Sequence, residues 1–240
     1  KGGKVAKFEA NLQAITILKT LETQKRYATP EEQSKLVLYT GWGGLSEVFK
    51  TNLSGPWLNR QEQLKAVLTE DEYRSASRST LNAHFTEPYI ARAVWAGAVR
   101  MGYSGGPTLE PATGIGHFFG TRPTNLPIEM HGIELDSISA RIAQQLYQSA
   151  NIRQSGYEDI RLPEGKYNLT ISNVPFGDYS PYEEKRNQTP GLDSRYSIHD
   201  FYFLKSLRMR IRYDFYERLL NNLFCFPCNF VFCCHIKESQ

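Results

Sequence analysis

The chain has 240 residues, of which 40% are hydrophobic and 22% charged. These proportions fit a globular protein and exclude a fibre or a disordered chain. Its net charge of +3 does not indicate a nucleic-acid partner, because clustering on one face matters more than the sum. No run approaches the roughly 18 apolar residues of a membrane-spanning helix, and no signal peptide opens the chain. We therefore expect a cytoplasmic protein with no membrane partner.

The N-terminal third carries helical patterns. Apolar residues at three- and four-residue spacing predict a helix over 7–27. A threonine cap followed by proline and glutamate predicts a second helix over 30–39. A further capping box divides 59–79 into two helices. We therefore predict a helical leader segment over 1–80. Because the chain begins with lysine rather than methionine, we expect it to be a piece of a longer protein.

From Leu81 the pattern changes to alternating helices and strands. A helix is expected to open at Thr86-Glu87-Pro88, with the Thr86 hydroxyl as its cap. The first predicted strand begins at Thr108, and three further strands cover 130–135, 151–155 and 167–172. A last helix covers 198–207. A βαβαβ order with right-handed crossovers predicts an α/β fold with a doubly wound sheet over 81–207.

The first predicted strand ends on Glu110-Pro111 and then turns through Gly114 and Gly116. Glycines at such a turn allow bare backbone amides to approach a ligand closely. An acidic residue, Glu134, stands at the end of the second strand. Several nucleotide-binding α/β families share this combination of a glycine-rich turn and a strand-end acid.

The nicotinamide version of this turn has a third glycine at the position that Phe119 occupies here. The turn instead resembles that of S-adenosylmethionine-binding proteins. In that resemblance Glu110 orients the methionine amine of the cofactor, and Glu134 accepts both ribose hydroxyls. Asp159, or Glu158 beside it, takes the adenine amino group. For each acid the alternative is an exposed residue at the end of a strand.

The fourth predicted strand ends on Asn173-Val174-Pro175-Phe176. An amine conjugated to a ring is a poor nucleophile, because its lone pair is delocalised. If the Asn173 side-chain oxygen and the Val174 carbonyl accept its two N–H bonds, the lone pair is directed at a methyl donor. Phe176 would stack on a base that has been swung out of a duplex. The alternative is a proline turn with Phe176 buried.

These motifs resemble, in order, those of amino-group DNA methyltransferases, chiefly the N6-adenine class. The resemblance implies a Rossmann-like methyltransferase fold, S-adenosyl-L-methionine as cofactor and DNA as partner. The implied cofactor-binding residues are Thr86, Glu110, Pro111, Gly114, Gly116, Glu134 and Asp159. The implied catalytic residues are Asn173, Val174, Pro175 and Phe176. Gly132-Ile-Glu134 and Gly156-Tyr-Glu-Asp159 complete the set of matching motifs.

Two stretches of the leader, Ala28–Gln33 and Tyr39–Leu45, look like the leader of very large plasmid- and phage-borne proteins that join a methylase-like domain to a helicase. That resemblance predicts a downstream helicase domain in the full-length protein. Two alternatives to DNA methylation by this chain stay open. In the first, the chain is a catalytically inactive module that binds DNA or cofactor for such a machine. In the second, it methylates protein glutamine.

The C-terminal part is less regular. A polar loop over 178–199 interleaves basic and aromatic residues, which either contact nucleic acid or form a solvated loop. The sheet is expected to be incomplete after the fourth strand, with 229–233 as a candidate for one more. We predict an atypical tail over 208–240.

All the cysteines fall in that tail, where they precede His235: they are Cys225, Cys228, Cys233 and Cys234. The two cysteine pairs lie closer together in sequence than the ligand pairs of a usual zinc site. We therefore predict no metal site.

Overall fold

The structure is a computed structural model that describes residues 2–80, 85–176, 196–209 and the backbone of 230–234. Most of the predicted loop over 178–199, and Cys225, Cys228 and His235 of the tail, lie outside the described residues. Two compact units are present. The first comprises Lys1–Phe85 with Asp136–Ser149, and the second comprises Thr86–Leu135 with Ala150–Gln240.

The elements follow one another in the order that the sequence predicts. In chain order they are α1 (Lys4–Gln24), α2 (Pro30–Leu36), a 3₁₀ turn (Ser46–Phe49), α3 (Pro56–Val67), α4 (Glu70–Ser79), α5 (Pro88–Arg100), β1 (Gly106–Glu110), α6 (His117–Thr121), β2 (Ile128–Glu134), α7 (Ser137–Leu146), β3 (Asn151–Gln154), β4 (Leu169–Asn173), α8 (Ile198–Arg208) and β5 (Phe230–Cys234). No described helix has both the length and the apolar character needed to cross a membrane.

The first unit is helical, as predicted for the leader. Both predicted capping boxes are present, at Thr29 with Glu32 and at Thr69 with Glu72. The unit also includes α7, which the sequence assigns to the domain over 81–207. The side chain of Arg141 in α7 pairs with Glu22 at 2.8 Å and also with Glu72. These ion pairs connect α7 to α1 and α4.

The second unit contains a five-stranded sheet in the order β3-β2-β1-β4-β5. The strands β1 to β4 are parallel, and β5 pairs antiparallel with β4. Parallel strands on both sides of β1 confirm the predicted α/β doubly wound, Rossmann-like fold. The predicted strand over 229–233 is confirmed as β5 with a shift of one residue, and its antiparallel direction is a feature that the sequence did not predict.

Helices cover both faces of this sheet. A Cβ at Gly132 would point at Phe119 of α6, whereas its neighbour Ile133 packs on the opposite face with Tyr157 and with Phe201 of α8. The alternation follows from the two-residue period of a strand. Because β1, β2 and β4 are parallel, their carboxyl ends lie at one edge of the sheet, between the helices that pack on its two faces.

The predicted hydroxyl cap of α5 is wrong. The helix begins at Pro88 with Glu87 at the N-cap position, and no side chain makes a capping hydrogen bond there. Thr86 lies one residue before that position, whereas a capping hydroxyl must stand at the N-cap itself to reach the N2 or N3 amide. Thr86 has a different contact, described below.

Replacing Gly132 with alanine tests the packing behind this edge. The added Cβ would lie 2.7 Å from Thr113 Oγ1 and 3.0 Å from Phe119 Cζ. We expect Gly132→Ala to lower the free energy of unfolding by about 1–3 kcal/mol, as overpacked cores do. Urea denaturation measures the change.

Gly97→Ala in α5 is the matched control, since its Cβ would meet no atom within 4 Å. Alanine is the better helix former, so this variant should be unchanged or more stable by up to about 1 kcal/mol. If Gly132→Ala proved as stable as Gly97→Ala, the packing described for Gly132 would be wrong.

Candidate functional site

The turn after β1 is held by hydrogen bonds from Thr113. Its backbone N–H donates to the Ile133 carbonyl at 3.0 Å, and its hydroxyl donates to the Glu110 carbonyl at 2.9 Å. Pro111, predicted at the site, is buried and lies between Glu110 and Thr113 in sequence. The turn therefore follows the end of β1 and is fixed against the end of β2.

The two glycines of the turn have positive backbone φ angles, 56° at Gly114 and 87° at Gly116. Their amides, however, are not bare. The Gly114 N–H donates to Glu134 Oε2 at 2.6 Å, and the Gly116 N–H donates to the Thr113 carbonyl at 2.9 Å. The expectation of bare amides facing a ligand is wrong, because both N–H groups already donate to acceptors within the protein. The glycines are needed for their left-handed conformation and for the close approach of Glu134.

Glu134 therefore lies where the sequence predicts, at the carboxyl end of β2 and against the glycine turn. Its side chain is half-buried. A carboxylate has about four acceptor positions on its two oxygens, and one of them accepts from the Gly114 N–H. The structure brings Glu134, Gly114 and Gly116 into one cluster.

Glu110, which ends β1 next to this cluster, has the most unusual environment of the predicted site residues. Its side chain is 2% exposed, and no donor among the described residues forms a hydrogen bond with its Oε2 atom. A buried carboxyl oxygen without a donor costs free energy that a ligand can recover. Burial raises the pKa of Glu110 well above its ordinary value, and the negative charge of Glu134 raises it further. A cation bound here would relieve both effects.

Thr86 is joined to this turn through its backbone. Its carbonyl accepts a hydrogen bond from Nδ1 of His117, the first residue of α6. The indole N–H of Trp95 in α5 donates to the Phe118 carbonyl at 3.0 Å. The predicted segment around Thr86 is thus held beside the glycine turn, although its hydroxyl makes no cap.

The segment after β3 carries the predicted adenine-recognition acids. Asp159 is exposed and Glu158 is half-buried, and the Asp159 N–H donates to the Gly156 carbonyl at 3.1 Å. The Ser155 N–H at the end of β3 donates to the Glu134 carbonyl at 2.9 Å. This bond connects the segment to the end of β2.

Lys205 of α8 is a buried cation that the sequence analysis missed. It is 2% exposed, and its ammonium donates to the Tyr157 carbonyl and to the Ile160 carbonyl, the latter at 2.9 Å. Burial lowers its pKa to about 8, against the opposing effect of Glu158 and Asp159. Lys205 therefore fixes the backbone on both sides of the two acids. Its position seven residues after Ile198, on the apolar face of α8, was the available signal.

Asn173 stands at the carboxyl end of β4, and its side chain is half-buried. Since β4 pairs in parallel with β1, Asn173 and Glu110 belong to the same edge of the sheet. Val174 is 4% exposed and its side chain packs in the core, which holds the backbone directly after Asn173 in place. Pro175 then directs the chain outward to Phe176.

Phe176 is 60% exposed, so the alternative in which it is buried is wrong. Its ring stacks on the His199 ring, with centroids 5.2 Å apart and planes inclined by 28°. The Ser197 hydroxyl donates to Asp200, and its oxygen lies 3.1 Å from His199 Nε2. His199 was missed because a single histidine in the first turn of a helix carries no distinctive signal in sequence.

Comparisons with known proteins give partial matches. No family model matches the chain. It is 27% identical over 191 residues to the defense against restriction protein B of Escherichia phage P1, a match that covers 79% of this chain and 7% of that protein. The chain thus spans a small fraction of the length of this curated relative.

Three solved structures overlap with the chain in part. A protein from Listeria monocytogenes, assigned as a class I S-adenosylmethionine-dependent methyltransferase, is 14% identical to this chain and has a TM-score of 0.37. The match covers 84% of this chain and 69% of the Listeria chain. One from Methanococcus maripaludis, assigned as an S-adenosylmethionine-dependent methyltransferase, has 14% identity, coverage of 35% and 42%, and a TM-score of 0.32. Geranyl diphosphate methyltransferase with bound sinefungin has 12% identity, coverage of 51% and 55%, and a TM-score of 0.31.

The pKa of Glu110 gives a prediction about stability. Because the folded state holds the Glu110 proton more tightly than the unfolded state, its contribution to stability is complete below about pH 4.5 and is lost as pH rises through the folded pKa. Glu110→Gln should therefore raise the melting temperature at pH 8 by at least about 3 °C. The difference should shrink toward pH 4.5. Scanning calorimetry across this range measures it.

The exposed Glu164 supplies the matched control. Glu164→Gln should leave the melting temperature within about 1 °C of wild type at every pH, as expected of a surface substitution. A wild-type-like melting curve for Glu110→Gln at pH 8 would contradict the assignment of a buried carboxyl that is costly to ionise.

Proposed function

We propose that this chain binds S-adenosyl-L-methionine and transfers its methyl group to the exocyclic N6 amine of adenine in DNA. The observation that carries the proposal is the buried Glu110 carboxyl, whose Oε2 has no donor among the described residues, beside a glycine turn that positions Glu134. These residues fit the cofactor, because it carries an ammonium group and two ribose hydroxyls. Its sulfonium supplies an electrophilic methyl group when it is bound.

Glu110 and Glu134 divide the recognition of the cofactor. Glu110, at low exposure, accepts a hydrogen bond from the ammonium and becomes a stabilised carboxylate as it does so. Glu134, held by the Gly114 amide, accepts from the ribose hydroxyls. Asp159 accepts from the adenine amino group on a segment that Lys205 holds in place. Glu110 and Asp159 thus recognise the two ends of the cofactor, and Glu134 recognises the ribose between them.

Asn173 and Val174 act on the substrate amine. The Asn173 side-chain oxygen and the Val174 carbonyl accept its two N–H bonds, and the nitrogen lone pair then points away from both acceptors, toward the methyl group. Bound at this site, the cofactor would supply the methyl group to this nitrogen and leave as a neutral thioether. The amine then releases one proton to solvent, so no strong base is required.

Phe176 holds the ring of the substrate. Its side chain is 60% exposed and its ring stacks on His199, so exposed ring surface remains for stacking on a base. A base must leave the duplex to reach such a surface. The phage P1 relative carries defense against restriction in its name, which favours DNA over protein glutamine as the proposed substrate. A downstream helicase domain in the full-length protein belongs to the same proposal.

The test is methyl transfer from labelled S-adenosylmethionine to DNA by the purified chain. Asn173→Ala should reduce transfer at least about 100-fold, since it removes one of the two acceptors that activate the amine. Its affinity for the cofactor should change less than about twofold. Both are measured on the same preparation, the first by scintillation counting and the second by calorimetry.

Asn59→Ala in α3, an exposed asparagine of the first unit, is the matched control and should retain wild-type transfer. Transfer that survives Asn173→Ala would remove Asn173 from the mechanism. Cofactor binding without any transfer to DNA by the wild-type chain would instead favour the inactive binding module. Label on protein rather than DNA would favour the glutamine methyltransferase.

A further inference from the structure

A cavity lies in the second unit, between the sheet and the connection from β3 to β4. Its volume is about 280 Å³, close to the lower limit of about 300 Å³ for small-molecule pockets. One wall is apolar and consists of Leu109 and Ile133 of the sheet with Ile160 and Leu162 of the following segment. None of the residues proposed to hold the cofactor or the amine lines it.

The connection from β3 to β4 contributes part of the cavity lining. Parallel strands are usually joined by a helix that packs on the sheet. Here residues 155–168, all of them described, contain no helix. A loop therefore lies over this part of the sheet and leaves Ile133 2% and His131 8% exposed, and the cavity is lined by residues of this loop and of the strands beneath it.

The charged side chains that line the cavity are cations, and an acid next to the lining, Glu129, pairs with His131. Arg153 of β3 and Arg161 and Lys166 of the connection line it, and no aspartate or glutamate does. The Lys166 ammonium lies 5.5 Å from the centre of the Tyr167 ring. Three cations from separate positions of the chain, facing one apolar wall, provide charge complementarity for an anion that carries an apolar or planar group.

Two buried polar side chains complete the lining. Tyr167 is 3% exposed and His131 is 8% exposed, and the Tyr167 hydroxyl lies 3.4 Å from His131 Nδ1. His131 Nε2 is 2.8 Å from Glu129 Oε1. Burial raises the pKa of Tyr167, so its hydroxyl stays protonated at neutral pH and can donate to an anionic oxygen.

We propose that this cavity is a binding site for a nucleoside monophosphate group, either as a free nucleotide or as part of a nucleic acid. Arg153, Arg161 and Lys166 hold the phosphate, and the Tyr167 hydroxyl donates to it. Sugar and base pack against Ile160 and Leu162, the half-buried apolar residues of the lining, which rest in turn on Leu109 and Ile133. The inference does not depend on methyl transfer, because the two sites share no functional residue.

The test uses isothermal titration calorimetry of the full chain with cytidine 5′-monophosphate, a nucleotide that lacks the adenosine part of the cofactor. Cytidine without phosphate should bind at least tenfold more weakly. The double variant Arg153→Gln, Arg161→Gln should lose at least tenfold in affinity for the monophosphate. Affinity of the wild type should also fall as salt is raised, because the interaction is between opposite charges.

Two control variants show whether the monophosphate binds in this cavity or elsewhere on the chain. The double variant Arg92→Gln, Arg100→Gln removes the same charge from exposed positions of α5 and should bind the monophosphate as wild type does. Glu134→Ala, in the proposed cofactor site, should also leave this affinity unchanged. Equal binding of cytidine and its monophosphate, an equal loss in both double variants, or dependence on Glu134 would each overturn the proposal.

A further arm identifies the source of the phosphate. An oligothymidylate with a 5′-phosphate and the same oligonucleotide without it are titrated in parallel with the monophosphate. Tighter binding of the oligonucleotides than of the monophosphate supports a nucleic-acid ligand. Binding of the monophosphate alone supports a free nucleotide. Absence of heat with all of these probes refutes the site.

Discussion

The arrangement at the edge of the sheet depends on one carboxyl group that is buried without a hydrogen-bond donor, among the described residues, for one of its oxygens. Glu110 ends β1 at 2% exposure, and the neighbouring charge of Glu134 adds to the cost of ionising it. Burial of this kind is unfavourable unless something compensates for it. A group kept in such an environment is typical of a binding or catalytic site, where a ligand provides the missing partner.

The surrounding hydrogen bonds fix the position of this carboxyl group. Thr113 connects the end of β1 to the end of β2, and the Gly114 amide brings Glu134 to the same turn. Trp95 connects α5 to α6, whose first residue contacts the Thr86 carbonyl. The parallel pairing of β4 with β1 places Asn173 on the same edge. The proposed cofactor and amine sites therefore lie on one edge of the sheet, and the Phe176 ring beyond Asn173 stacks on His199.

The sequence predicted those features that depend on local order along the chain. Acidic or amide residues directly after short apolar runs identified Glu110, Glu134 and Asn173 as strand ends, and the structure places them there. The hydrogen-bond partners of Gly114 and Gly116 were not predictable in this way. They depend on which carboxylate and which carbonyl the tertiary fold brings within reach, and this cannot be read from the glycine spacing.

Other misses have the same physical origin. Apolar periodicity does not say which helices pack against one another, and α7 groups with α1 and α4 rather than with the sheet unit. Lysine is normally a surface residue, so its residue type gives no reason to expect Lys205 on the buried face of α8. The cavity beneath the β3–β4 connection is lined by residues from three strands and from the connection, and only the folded chain brings these together.

The central claim is that Glu110 recognises the ammonium group of the cofactor. Calorimetry should compare S-adenosylmethionine with 5′-deoxy-5′-methylthioadenosine, which lacks that group, on the wild-type chain and on Glu110→Gln. The account predicts that wild type prefers S-adenosylmethionine at least tenfold and that the substitution removes most of this preference. An equal preference in both proteins, or no binding of S-adenosylmethionine by the wild type, would contradict it.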